Sequence, residues 1–292
     1  MNGARVHLRW MLLAALLTGG LQTGVLAQSE FLSLWPGATP GGSQPGPEAL
    51  PDRGDSVLRL TSVKDPFLLV YAPDSARHNG KALVICPGGG YEYLAVDKEG
   101  AEVALWLNEL GYTAFVLIYR VPGQPDAALN DLHRAIRLVR SLSGRWRIDP
   151  ARVGVLGFSA GAHLSARAAT QAARPKYANV DEADLLSARP DYAMLIYPGL
   201  MESGGKLSAQ LTPGPGTPPM FLFGTADDPH GQSTLLLAGA LRSAGTSLEL
   251  HLLPSGGHGY GLRPGNVAAN LWPGMAATWL EGQTQCRKSS VH

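Results

Sequence analysis

Serine, histidine and aspartate occur in this sequence in an order and setting that could carry acyl transfer. The serine is Ser159, in Gly157-Phe158-Ser159-Ala160-Gly161. The run Arg152 to Leu156 precedes it and reads as a buried strand, and Ala160 to Thr170 reads as a helix. A Gly-x-Ser-x-Gly turn between strand and helix holds its serine in a strained backbone conformation. The hydroxyl is then exposed above the sheet edge, over the helix N-terminus. The flanking positions must be glycine because a Cβ would collide with the adjacent strand and helix. An ordinary glycine turn could spell the same five letters, and the strand and helix on either side favour the chemical reading.

A serine hydroxyl is a weak nucleophile near neutral pH. It needs a base, and the base needs an orienting carboxylate. With the serine on such a turn, the chain order is serine, acid, histidine. The sequence holds eight histidines. His7 lies in the leader region, and His78 and His133 precede the serine. His163 sits one turn after Ser159 on the same helix and reads as a packing or hydrogen-bonding residue. His230 falls in the loop expected to hold the acid, His251 inside a strand, and His292 at the end. His258 remains, in Pro254-Ser255-Gly256-Gly257-His258-Gly259-Tyr260-Gly261. This loop follows the last expected strand, and its glycines allow a close approach of the imidazole. For the acid, the strand Met220 to Phe223 runs into Gly224-Thr225-Ala226-Asp227-Asp228. Either aspartate could serve. The usual distance from strand end to acid favours Asp228, and the other would then fix the turn through backbone hydrogen bonds.

Acyl transfer also needs donors for a developing oxyanion. Pro87-Gly88-Gly89-Gly90-Tyr91 follows the apolar run Ala82 to Cys86, and its glycines can turn N–H groups toward a carbonyl oxygen. Gly89 and Gly90, with the N–H of Ala160, are the expected oxyanion donors. A phosphate-cradling loop would need Gly-Lys-Ser/Thr after the glycines, and Tyr91-Glu92-Tyr93 stands there instead. No dinucleotide fingerprint, His-Glu-x-x-His or Cys/His cluster is present, so nothing supports a metal or cofactor.

These loops require a framework. Expected strands are Ser56 to Ser62, Phe67 to Tyr71, Ala82 to Cys86, Thr113 to Tyr119, Arg152 to Leu156, Tyr192 to Tyr197, Met220 to Phe223 and Leu248 to Leu253. Expected helices are Lys98 to Leu110, Leu129 to Leu142, Ala160 to Thr170, Ser233 to Ala244 and Val267 to Leu280. Continuous apolar strands alternating with helices imply an α/β fold: an eight-stranded, mainly parallel sheet with helices on both faces. Leu200 to Pro219 is rich in Gly and Pro and too short for a large cap. Of 292 residues, 45% are hydrophobic and 16% charged, enough for one large core, and the net charge of +1 without a long basic run argues against nucleic acid as a partner.

Arg5 and Arg9, the apolar run Trp10 to Leu17 and the ending Val25-Leu26-Ala27 form a signal-peptide pattern with cleavage before Gln28. The run is too short to span a bilayer. Export to the periplasm or medium is expected, with no stable membrane insertion after cleavage; an uncleaved anchor is the alternative. The expected division is a signal peptide over 1–27, an irregular arm over 28–55, a catalytic domain over 56–282 and a tail over 283–292. Cys86 and Cys286 are the two cysteines. Cys86 reads as a buried thiol, and spacing does not reveal whether the two pair.

With the motifs assembled, the chain resembles bacterial α/β-hydrolases of the acetyl esterase and acetyl xylan esterase group. The likeness runs from about Leu34 to Leu280. It rests on Leu34-Trp35-Pro36-Gly37-Ala38, Cys86-Pro87-Gly88-Gly89-Gly90-Tyr91, Asp97-Lys98-Glu99-Gly100 and Ala114-Phe115-Val116-Leu117-Ile118-Tyr119-Arg120. Ala135-Ile136-Arg137-Leu138-Val139-Arg140, Gly157 to Gly161 and Gly257-His258-Gly259 complete it. The resemblance implies catalytic roles for Ser159, Asp228 and His258, an oxyanion loop at Gly88, Gly89 and Gly90, and a short-acyl ester substrate, carried by a small molecule or a carbohydrate such as acetylated xylan. Two departures stand out. Asp228-Pro229-His230-Gly231-Gln232-Ser233 is shorter than the usual segment after the acid, and Ala162 replaces a frequent second glycine. Tyr91, Tyr93 and Tyr260 lie beside the oxyanion and histidine loops, where they could stack on sugar rings or only pack the loops. A serine peptidase would need a propeller domain for which there is no room, and a non-catalytic binding protein would be indicated by a missing triad member.

Overall fold

The computed structural model describes residues 28–37, 39, 46–171 and 177–283. The expected signal peptide, Cys286, His292 and the tail from 284 onward lie outside the described residues.

Eight strands form one sheet, in the order Gln28–Ser33, Phe67–Tyr71, Thr113–Ile118, Ala82–Cys86, Val153–Phe158, Ala193–Ile196, Met220–Thr225 and Leu248–Leu253. The first two pairings are antiparallel and the other five parallel. Every residue of Ala82–Cys86, Thr113–Ile118 and Val153–Phe158 is buried, with no alternation. Strands of that kind need cover on both faces. The helix Glu102–Glu109 meets Val267–Gly282 through Trp106 and the fully buried Trp272, whose rings lie 5.1 Å apart. Pro125–Ser141 packs against Ala160–Thr170.

The count of eight strands agrees with the sequence reading, but one member differs. Within Ser56 to Ser62, Arg59–Thr61 is a strand, yet it belongs to a small antiparallel sheet with Glu48–Ala49 and Leu94–Ala95. Its expected place is taken by Gln28–Ser33, from the segment read as an irregular arm. Long-range anchors explain the exchange. Phe31 pairs in register with Leu69. Just beyond, the buried Trp35 indole donates to Asp131 at 3.1 Å, and the Arg134 guanidinium donates to the Leu34 carbonyl at 3.0 Å. Asp131 is in turn held by Arg120 at 2.7 Å. Such partners, about a hundred residues away, leave no local periodicity to read.

Cys86 is fully buried, as expected, and burial pushes its thiol up to about 12. Between 200 and 219 the structure has an exposed two-residue hairpin, Glu202–Ser203 against Lys206–Leu207, and no helical cap among the described residues. No helix among the described residues is long and apolar enough to cross a membrane.

The chain order reverses direction across the sheet at Ala82–Cys86, which lies between Thr113–Ile118 and Val153–Phe158. In open α/β sheets the crevice beyond the strands' carboxyl ends at such a switch is the natural ligand site. The candidate residues all leave from those ends.

Candidate active site

Ser159 lies one residue past Val153–Phe158, at φ 51° and ψ −115°. For a residue with a Cβ this is a strained backbone that only the surrounding structure can hold. Backbone hydrogen bonds hold it, among them one from Gly199 N to the Ser159 carbonyl at 3.3 Å. The Ser159 N–H donates to Ile196 O at 3.1 Å, and the Ser159 carbonyl accepts from Ala162 N and His163 N at 3.1 Å each. A Cβ at Gly157 would lie 2.2 Å from Gly161 O, and one at Gly161 would lie 1.9 Å from Cys86 O. No neighbour could yield that much, because both obstacles are backbone.

The imidazole of His258 bridges two groups. Its Nε2 is 2.8 Å from Ser159 Oγ, and its Nδ1 is 2.8 Å from Asp228 Oδ2. The Asp228 side chain is 1% exposed, and its other oxygen accepts the His230 N–H at 2.7 Å. Asp227, one residue earlier, faces elsewhere. Its carboxylate accepts the N–H groups of Gly256 and Gly257 at 3.1 and 2.8 Å. Those bonds hold the histidine loop and keep the Asp227 carboxyl below the usual range. The two aspartates therefore take the two roles left open by the sequence, with Asp228 at the imidazole and Asp227 at the turn. The His258 ring is flanked edge-on by Tyr197 at 5.0 Å and by His230 at 4.9 Å.

The glycine loop is oriented peptide by peptide. A trans peptide points its C=O and the following N–H in opposite directions. Pro87 O accepts from Tyr119 Oη at 2.6 Å, and the Gly88 N–H opposite it donates to Glu99 Oε2 at 2.6 Å. Gly88 O accepts from Ala95 N at 3.1 Å, and Gly89 O accepts from Glu92 N and Tyr93 N at 3.0 and 3.2 Å. The N–H groups of Gly89 and Gly90 are thus turned away from that side of the loop, whereas Gly88 N–H is engaged. Gly89 needs its glycine: it has φ +135°, and a Cβ would meet Tyr93 O at 2.1 Å. Ala160 is the first residue of its helix, so its N–H has no acceptor within the helix.

The three tyrosines are placed unequally. Tyr91 and Tyr260 are 6% and 5% exposed. Tyr91 Oη lies 2.9 Å from His163 Nδ1, and the Tyr260 ring packs edge-on against Tyr197 at 4.5 Å. Apolar ring area so close to the core is more stable covered than presented to solvent, so these two pack the loops and offer no free face for a sugar. Tyr93 is half-buried, with the Arg53 guanidinium 5.1 Å over its ring. His163 is a buried packing and hydrogen-bonding residue, as expected, and burial lowers its imidazole to about 4.

Three polar residues near the site were not singled out from the sequence as having roles. Glu99 is buried among the loops, Tyr197 follows Ala193–Ile196, and Arg263 bridges Asp97 and Glu102 at 2.9 Å each. The stretch Asp97-Lys98-Glu99-Gly100 was the only available signal.

The BD-FAE family matches residues 68–188. An acetylxylan esterase of Xylanibacter ruminicola is 31% identical over 238 residues, which cover 70% of this chain and 46% of that protein. An endo-1,4-beta-xylanase B of Butyrivibrio fibrisolvens is 30% identical over 204 residues, 61% of this chain and 32% of the xylanase. The chain thus spans less than half the length of these two curated relatives. Among solved structures, the acetyl ester-xyloside bifunctional hydrolase of Caldicellulosiruptor lactoaceticus is 33% identical, with a TM-score of 0.68, covering 89% of this chain and 98% of that one.

Proposed function

We propose that this chain, which belongs to the acetyl xylan esterase-like α/β-hydrolases, is a serine carboxylesterase that removes short acyl groups, acetyl above all, from carbohydrate such as acetylated xylan. The observation that carries the reading is the hydrogen-bonded line from Ser159 Oγ through His258 to Asp228, with both distances 2.8 Å, on the strained turn. In the first step His258 Nε2 takes the Ser159 proton as Oγ attacks the ester carbonyl. Asp228 holds the Nδ1–H and stabilises the imidazolium that forms. The carbonyl oxygen becomes an oxyanion facing the N–H groups of Gly89, Gly90 and Ala160. His258 then returns the proton to the departing alcohol, leaving an acyl group on Ser159. Water, deprotonated by the same imidazole, releases the acid and restores the serine.

Two features support a short acyl group and a bulky alcohol. A Cβ built on Gly199 would lie 3.7 Å from Ser159 Oγ and from the His230 ring, so only about one methyl separates the nucleophile from a wall. The hairpin region beyond is exposed rather than an apolar lid, so each further methylene would gain little of the ~0.8 kcal/mol that burial provides. The relatives' names point to xylan as the carrier, and the signal-peptide pattern points to export.

The test is kcat/KM on p-nitrophenyl esters from two to twelve carbons, beside acetate release from acetylated xylan. Acetate should be turned over best and chains beyond about six carbons poorly. Ser159→Ala should lower turnover on the order of 10⁴-fold with the fold intact. A maximum at eight carbons or longer, or a Ser159→Ala protein with a tenth of wild-type turnover, would refute the reading.

A further inference from the structure

Glu99 is a carboxylic acid in an unusual place. It sits in a π-helical turn, Asp97–Ala101, in which the Ala101 N–H reaches back five residues to Val96 O at 2.9 Å. Such wide turns recur at functional sites. Glu99 is 5% exposed. One oxygen accepts the Gly88 N–H at 2.6 Å, and the other accepts the Tyr197 hydroxyl at 2.8 Å. The Tyr197 oxygen in turn accepts the Gly261 N–H at 3.2 Å. Gly88 opens the oxyanion loop, and Gly261 closes the loop that carries His258. The Tyr197 ring also lies against the His258 ring.

We propose that Glu99, acting through Tyr197, is a positioning residue that fixes the oxyanion loop and the histidine loop relative to each other. This rests on the esterase reading above. The geometry makes it specific. The peptide that Glu99 grips, Pro87–Gly88, is the one that precedes both expected oxyanion donors, so its orientation sets theirs. The same side chain reaches the far end of the histidine loop through one hydroxyl. Burial costs a carboxyl group its ionised form and pushes Glu99 upward, and the hydrogen bonds from Tyr197 and Gly88 pull the other way. A buried polar group that must be satisfied by two separate loops, and that a hydrophobic side chain could replace more cheaply, specifies one arrangement of those loops. Arg263 braces the same pair of segments from the solvent side, joining Asp97 and Glu102 to the chain just past Gly261.

The experiment uses the full chain with Glu99→Gln and Tyr197→Phe. Glutamine keeps one oxygen for Gly88 but cannot accept from both loops, and phenylalanine removes only the hydroxyl. Hydrogen–deuterium exchange should rise in both 87–93 and 256–262 in Glu99→Gln, and in 256–262 in Tyr197→Phe. On p-nitrophenyl acetate, kcat should fall about 10- to 100-fold in each variant with KM within about twofold, because oxyanion and imidazolium alignment matter mainly in the transition state. The double variant should lose little more than the worse single one, since both cut one link. Unchanged exchange in 256–262, kcat within twofold of wild type, or a rise in KM alone would overturn the proposal. If Glu99→Gln does not fold, Tyr197→Phe decides by the same criteria. Linked exchange in a wild-type protein without esterase activity would instead leave the coupling standing and remove the functional reading.

Discussion

Exchanging each adjacent aspartate for asparagine separates their roles, because the structure gives them different partners. Asp228 uses both oxygens: Oδ2 faces His258 Nδ1 at 2.8 Å and Oδ1 accepts the His230 N–H at 2.7 Å. Asparagine has one acceptor oxygen. The His230 N–H cannot turn away, so that oxygen is pinned to it and the amide NH₂ must face His258 Nδ1. The imidazole then carries its proton on Nε2, toward Ser159, where it cannot act as a base. Asp228→Asn should therefore lower kcat on the order of 10⁴-fold, a loss of about 5 kcal/mol in transition-state stabilisation, with little change in KM. In Asp227→Asn one of the Gly256 and Gly257 N–H groups loses an acceptor that water can replace at this exposed position, and turnover should stay within about tenfold of wild type. The assay is initial-rate hydrolysis of p-nitrophenyl acetate near neutral pH, with thermal unfolding run in parallel to exclude misfolding. The reverse ranking would move the acid to Asp227. Equal, small losses in both would refute a general-base histidine altogether.

Further outcomes are expected elsewhere. Gly199→Ala places a methyl 3.7 Å from Ser159 Oγ; acetate turnover should change little, while butyrate relative to acetate should fall several-fold in kcat/KM, and an unchanged ratio would show that the acyl group lies elsewhere. His133 is 3% exposed with no hydrogen-bond partner on either nitrogen among the described residues, and burial lowers its imidazole to about 4. Its folded pKa is below the unfolded value near 6.5, so the unfolded chain binds more protons on acidification, and stability should fall between about pH 6.5 and 4 by up to roughly 3 kcal/mol from this group. Urea titrations across that range should show a flatter pH dependence in His133→Leu, and an identical slope would disprove the assignment. When the protein is expressed with residues 1–27 in an exporting bacterium, N-terminal mass analysis should find Gln28 or a near neighbour first, and an intact Met1 on membrane-bound protein would favour an anchor.

Much of the nucleophile's setting was legible because it is local. Ser159, its strand, its helix and its glycines are contiguous, and the helix Ala160–Thr170 has the bounds that its apolar pattern suggests. The sheet was legible for a related reason: a strand covered on both faces reads as a near-continuous apolar run, and three of the central strands are buried at every residue. The edge strand Gln28–Ser33 was not, since its pairing and its anchors at Trp35, Asp131 and Arg134 depend on distant residues. Tyr91 and Tyr260 could be read from sequence either as sugar-stacking or as loop-packing rings, and only the assembled loops, which bury both, decide for packing.

Sequence alone determined which chemical groups the chain carries and which strands and turns present them, because turn glycines and apolar periodicity act over a few residues. Tertiary structure decided which way each side chain faces. Asp227 and Asp228 are adjacent and chemically identical, and only the position of the histidine loop sends one carboxylate to His258 and the other to Gly256 and Gly257. Glu99 and Tyr197 are 98 residues apart, and their hydrogen bond exists because the turn Asp97–Ala101 and the end of the strand Ala193–Ile196 meet in the fold. Bonds of that kind arise from long-range packing, which no local pattern encodes.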